Sequence, residues 1–193
     1  MKNGENLFVI TGGPGSGKTT ILRQMEARGF HCVPEVARQI IQEQVRDGGT
    51  ALPWSDRRLY TKLMLERSVK SYEEHAPNSL PIFFDRGIPD TLGYARLIGL
   101  SNVKYIQDAC NRCRYASTAF LAPAWQEIYE TDSERKQDFE EAIRTYIVIG
   151  QTYRDCGYEV VEIPKIDPKA RADFIVKHVH AILQQSAEAG VGQ

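Results

Sequence analysis

Residues 12–20 read Gly-Gly-Pro-Gly-Ser-Gly-Lys-Thr-Thr, and Gly12, Gly17, Lys18 and Thr19 satisfy the spacing G-x-x-x-x-G-K-(S/T). Those residue types at that spacing make a phosphate cradle. Glycines let consecutive backbone N–H groups turn inward, the lysine reaches the outer phosphates, and the hydroxyl after it faces a divalent cation. The whole run Gly12, Gly13, Pro14, Gly15, Ser16, Gly17, Lys18, Thr19 and Thr20 is therefore the candidate nucleotide-binding segment, with Thr19 a candidate ligand of Mg²⁺. A phosphate site alone leaves open whether the phosphoryl group moves to another molecule, goes to water or serves as a signal.

Three further places bear on that question. "LPIFFDRG", residues 80–87, is an apolar run ending abruptly in Asp85 and Arg86. There a carboxylate can hold Mg²⁺ or its waters, and a guanidinium can hold phosphate oxygens bidentately. Glu35 directly follows a second short apolar run and is a candidate general base, or equally a glutamate complementing a helix dipole after Pro34. Arg135 lies in the charge-rich stretch 125–142, one turn into an expected helix. It is a candidate for stabilising charge on a transferring phosphoryl group, or else a surface arginine pairing with Asp132 or Glu134. The catalytic candidates are thus Lys18, Glu35, Asp85, Arg86 and Arg135, and the metal candidates Thr19 and Asp85.

Elements must position these residues. Residues 7–11 form a compact apolar run of strand length, and Ile21, Leu22 and Met25 follow at helical spacing. Further strands are expected at 30–33, 80–87, 117–122 and 158–163. Helices are expected after Pro34, after a cap at Ser55, over 90–98, 102–114 and 133–156, and from Pro168 to about 183. In the long helix Phe139, Ile143, Tyr146, Ile147 and Tyr153 are expected to face inward; the chain after about residue 185 reads as frayed. Strands alternating with helices imply an α/β fold of three layers, a doubly wound parallel sheet of five strands. Ligands of such sheets sit at the carboxyl ends of the strands, where the charged motifs fall.

Composition narrows the partners. With 193 residues the expectation is one domain spanning 1–193, with a lid-like segment at about 123–137. The 24 Lys and Arg against 25 Asp and Glu leave no global positive field for DNA or RNA, so a small-molecule phosphate acceptor is favoured. A local basic groove at Arg57, Arg58, Lys62 and Arg67 would revive a polynucleotide, although such residues on a helix more often form a solvated face. No apolar run approaches the roughly 18 to 20 residues that span a bilayer, and the chain reads as cytoplasmic. Cys110 and Cys113 are expected as small buried hydrophobes rather than a redox or zinc pair. Asp90-Thr91-Leu92-Gly93 matches the short D-x-x-G pattern of GTPases but follows Pro89 at a helix start, and no N-K-x-D partner occurs, so it reads as coincidence. Ile163, Pro164 and Ile166 are candidates to wall a base; Trp54, Tyr60, Tyr94 and Trp125 are aromatics near loop ends that could stack on a ring, although such residues are more often core or rim packing.

"TGGPGSGKTT", "PEVAR", "FFDRGIPDT", "PAWQEIYETDSERKQDFEEA" and "YEVVEIP" occur in this order over most of the chain. Together they resemble the P-loop kinase-like ATPases grouped with the nicotinamide-riboside kinase domain of the bacterial NAD regulator, a group often catalogued as an AAA-type ATPase domain. The resemblance implies five parallel strands and binding of ATP with Mg²⁺. It implies phosphate and metal contacts for Lys18 and Thr19, the strand-end acid and arginine for Asp85 and Arg86, and a lid arginine for Arg135. An acidic base after the second strand in deoxynucleoside-kinase relatives corresponds to Glu35. Two departures stand out: those relatives carry Glu-Arg where this chain has Asp85-Arg86, and more lid arginines than the single Arg135. Two functions follow: transfer of the ATP γ-phosphoryl group to a hydroxyl of a nucleoside-like or other metabolite, or an NTP-binding switch or slow NTPase acting on a protein or membrane partner.

Overall fold

The computed structural model describes residues 4–129 and 139–191. Its strands are β1 (Leu7–Gly12), β2 (His31–Val33), β3 (Ile82–Asp85), β4 (Thr118–Ala122) and β5 (Glu159–Glu162). They form a sheet in the order β2-β3-β1-β4-β5, with every neighbouring pair parallel. The helices are α1 (Lys18–Glu26), α2 (Val36–Asp47), α3 (Arg57–His75), α4 (Ile88–Leu97), α5 (Lys104–Arg112), α6 (Phe139–Asp155) and α7 (Pro168–Val191).

Every residue of β1 is buried, because the strand is central and covered on both faces. Leu7 and Val9 join one core with Leu65, Leu92, Ile149 and Tyr153 from α3, α4 and α6. Phe8 and Ile10 point the other way, into a core with Ile21 and Met25 of α1 and Ala172, Ile175 and Val179 of α7. The helix leaving β1 thus lies on one face, and the helix leaving its neighbour β3 lies on the other. Chain paths that diverge from adjacent strand ends open a crevice between them. The crevice falls at the carboxyl ends of β1 and β3, where the register sets Ile10 beside Asp85.

Three local expectations are corrected. The cap of α3 is Asp56, whose side chain accepts from the Leu59 amide at 2.9 Å, rather than Ser55. In α6 the inward stripe is Ala142, Thr145, Ile149 and Tyr153, while Ile143 and Ile147 are 39% and 58% exposed. Close approach is the reason: a Cβ on Gly13 would lie 2.6 Å from the Ala142 carbonyl oxygen, so small residues face the loop and the larger ones turn outward. The last helix, expected to end at about 183, continues as α7 to Val191. Cys110 and Cys113 are free and buried, as their helical spacing suggested. No described helix is long and apolar enough to cross a membrane.

Candidate functional site

The loop between β1 and α1 holds backbone that side chains resist. Gly12, Gly15 and Gly17 have φ of 138°, 69° and 80°, and a Cβ on Gly12 would collide with the Ala122 carbonyl of β4. Gly17 caps α1 without a side chain, so the first helical amides stay open to an anion. Lys18 folds back over the loop: its Nζ donates to the carbonyls of Gly12 at 3.1 Å and Gly13 at 2.8 Å and to Ser16 Oγ at 3.3 Å. Burial, followed by the nearby Arg86 charge, lowers its pKa to about 8. Thr19 and Thr20 are exposed and line the cleft with Pro14, Gly15, Ser16, Gly17 and Lys18; Gly12 and Gly13 are buried behind them.

β3 delivers the charged cluster. Arg86 has φ of 71°, a conformation that L-residues with bulky side chains seldom adopt. Its side chain is held on two sides, by Glu35 through Nε to Oε1 at 2.8 Å and by Asp90 through NH1 to Oδ1 at 3.1 Å. Burial opposes ionisation of Glu35, but the Arg86 and Lys18 charges outweigh it and hold the carboxyl below its ordinary range. Asp85 behaves oppositely. It is 7% exposed, its Oδ1 has no described hydrogen-bond partner, and burial together with the Glu35 charge raises its pKa to about 6. A buried carboxylate oxygen with spare lone pairs at the carboxyl end of β3, the strand beside β1, suits a hard divalent cation that keeps several waters.

Asp90 is the residue that the sequence reading set aside. At 3% exposure it accepts from Thr11 Oγ1 at 2.5 Å, Tyr153 OH at 2.6 Å, the Gly87 amide at 2.9 Å and Arg86 NH1 at 3.1 Å. It ties β1, α4 and α6 together beneath the cluster. The available signal was its i,i+4 spacing from Arg86.

The cleft, about 1730 Å³, runs from the phosphate loop past Glu35, Arg86 and Asp90 into a chamber walled by Tyr60, Met64, Tyr94 and Leu97. Trp54, Arg38 and Arg57 line it as well. Tyr60 and Tyr94 meet edge to face at 5.4 Å, and the buried Tyr94 hydroxyl has no described partner. Both tyrosines therefore pack as expected and also face the cleft. Of the basic patch considered from sequence, Arg57 lines the cleft, Arg67 pairs with Glu43 at 2.5 Å, and Lys62 reaches Glu66 at 3.7 Å. Ile163 is buried in the core and Ile166 is 41% exposed. The stretch after β4 makes a short helical turn over Gln126–Ile128, and Tyr129 packs its ring on Gly15. Arg135 and the rest of the lid-like segment up to 137 lie outside the described residues.

Comparison with known proteins follows the same outline. A family model described as an AAA domain matches residues 7–171. Among solved structures, the chain is similar to the shikimate kinase from Acinetobacter baumannii in complex with shikimate, at 14% identity and a TM-score of 0.56, over 91% of this chain and 93% of that one. It is similar to the NadR protein in complex with NR at 15% identity and a TM-score of 0.70, over 91% of this chain and 52% of that one, about half of its length. It is similar to the thymidylate kinase from Ehrlichia chaffeensis at 14% identity and a TM-score of 0.60, over 92% and 99%. No curated protein matches significantly.

Proposed function

The chain belongs to the AAA-domain family of P-loop kinase-like NTPases, and we propose that it transfers the γ-phosphoryl group of ATP to a hydroxyl of a small nucleoside-like or other metabolite. The observation that carries this reading is the continuity of the cleft. One side is the phosphate loop, the other is the Tyr60 and Tyr94 chamber, and the Glu35, Arg86 and Asp90 cluster lies between them. A pocket for one ligand commonly takes about 300 to 1,000 Å³, so this cleft has room for a donor and an acceptor together.

The backbone N–H groups of residues 13 and 15–19 and Lys18 would hold the phosphate chain, and Thr19 and Asp85 would hold Mg²⁺, which would supply charge neutralisation on the phosphate oxygens. Arg86 orients phosphate oxygens from the strand end. Glu35, at the cleft wall, accepts the proton of the acceptor hydroxyl as that oxygen bonds to the γ-phosphorus and the bond from phosphorus to the β-phosphate oxygen breaks, releasing ADP. Pairing with Arg86 makes Glu35 a weak base in the free protein. Phosphates drawing the Arg86 guanidinium away would raise its basicity when both substrates are present. Arg135 is the proposed lid arginine.

The test is incubation with ATP, Mg²⁺ and pooled nucleosides and cofactors, followed by a search for a phosphorylated product alongside ADP. Lys18→Ala abolishes product. Glu35→Gln keeps ATP binding and lowers turnover by about 10²-fold or more, the usual worth of a positioned base. Full transfer by Glu35→Gln would remove Glu35 from its role; ADP formed with no acceptor dependence would favour a slow NTPase or switch.

A further inference from the structure

Arg171, in the first turn of α7, is 1% exposed. Arginines are almost never fully buried unless paired. Its NH1 donates to the Ser16 carbonyl at 3.0 Å, while Nε and NH2 are buried without a partner among the described residues. The guanidinium carbon lies over the Trp125 ring, 5.7 Å from its centre, at the outer reach of a cation–π contact that leaves the Nε and NH2 hydrogens unaccepted. Burial pulls its pKa down, and among the described residues no carboxylate opposes that pull. Packing does not explain the residue: the next inward positions of α7, Ala172, Ile175 and Val179, anchor the helix with apolar side chains.

Its location does suggest an explanation. A Cβ on Gly17 would lie 2.8 Å from Arg171 NH1, so the cation sits directly against the phosphate loop. The peptide from Ser16 to Gly17 is planar and trans, and its C=O and N–H therefore point in opposite directions. Holding the Ser16 oxygen on the α7 side aims the Gly17 N–H to the other side of the peptide. The same contact leaves a desolvated positive charge behind the loop, in a medium where charges act more strongly than in water.

We propose that Arg171 is a positioning residue and fixed counter-charge for the polyphosphate: it sets the Ser16 to Gly17 peptide and supplies a buried cation that no carboxylate among the described residues balances. This rests on the reading of the loop as a nucleotide phosphate site. It also makes Arg171 a stability cost in the free protein, a trade that residues held in place for packing do not show.

The experiment compares wild type, Arg171→Met and Arg171→Lys, using ATP and inorganic tripolyphosphate as titrants and thermal melting of the ligand-free proteins. Arg171→Met is expected to melt no lower than wild type and to bind both titrants at least tenfold more weakly, with a smaller dependence on salt. Arg171→Lys, which keeps the charge, recovers most of that affinity. Equal binding by wild type and Arg171→Met overturns the proposal and leaves the nucleotide site standing. An equal loss in Arg171→Lys and Arg171→Met overturns it too, because charge would then not be the cause. A wild type that binds neither ATP nor tripolyphosphate overturns the nucleotide reading and this inference with it.

Discussion

Asp90→Asn changes one oxygen of a buried carboxylate to an NH₂ group and is expected to destabilise the protein well beyond a surface substitution. One carboxylate oxygen takes Thr11 Oγ1 and Arg86 NH1, the other takes the Gly87 amide and Tyr153 OH. The two hydroxyls can rotate and accept from the new amide; the Arg86 and Gly87 N–H groups cannot. Whichever way the substituted side chain is turned, one fixed donor faces another donor. An unsatisfied buried donor costs about 1–3 kcal/mol. Breaking a buried ion pair from one side costs about 3–5 kcal/mol. Arg86 keeps Glu35 at 2.8 Å as a second partner, which places the sum near the lower figure, about 3 kcal/mol. At roughly 2–4 °C per kcal/mol for a chain of this size, the melting temperature should fall by about 6–12 °C. Circular dichroism melts at pH 7.5 measure it, with Asp155→Asn as the control. Asp155 pairs with Arg96 at 2.6 Å but is 41% exposed, and its loss should shift the melt far less than that of Asp90. A fall of less than about 2 °C for Asp90→Asn would refute the assignment of Asp90 as the tie beneath the cluster.

Two further predictions concern protons. The folded pKa of Asp85, about 6, lies above the ordinary carboxylate value of 3.8, so the unfolded chain gives up this proton first. Its ionisation therefore weighs against folding from about pH 4 upward, in full above about pH 6. Asp85→Asn should raise the melting temperature of the nucleotide-free protein at pH 7.5, leave it nearly unchanged at pH 4, and remove the Mg²⁺ dependence of ATP binding; a lower melting temperature at pH 7.5 would contradict this. Lys18, lowered to about 8 in the free protein, should regain its full charge beside bound phosphates. Binding of ATP at pH 8.5 should then take up ~0.8 proton by linkage, read as a dependence of calorimetric heat on buffer ionisation enthalpy, and absent in Lys18→Met. Heat independent of buffer in the wild-type protein would sink the account of Lys18.

Much of the loop after β1 and of the central strands was legible in the chain because its causes are local. Gly12, Gly15 and Gly17 occupy φ values that mark a tight anion loop, and the apolar runs at β1, β3 and β4 are short, dense and closed by turns. Periodicity misled where close approach rather than apolarity chose the inward face, as with Ala142 and Thr145 displacing Ile143 and Ile147 in α6. Asp90 looked like a stray motif because its partners Thr11 and Tyr153 are 79 and 63 residues away.

By itself, then, the sequence determined the phosphate loop, the alternation of strands and helices and the charged end of β3, since backbone sterics and short-range apolar spacing act within a few residues. Only the tertiary structure decided which charges meet. The order β2-β3-β1-β4-β5 brings Glu35 to Arg86, Asp90 to Thr11, and Arg171 to Ser16 across 155 residues. Those pairings depend on which strand ends become neighbours and on which face each helix crosses, and the alternation of strands and helices leaves strand order open.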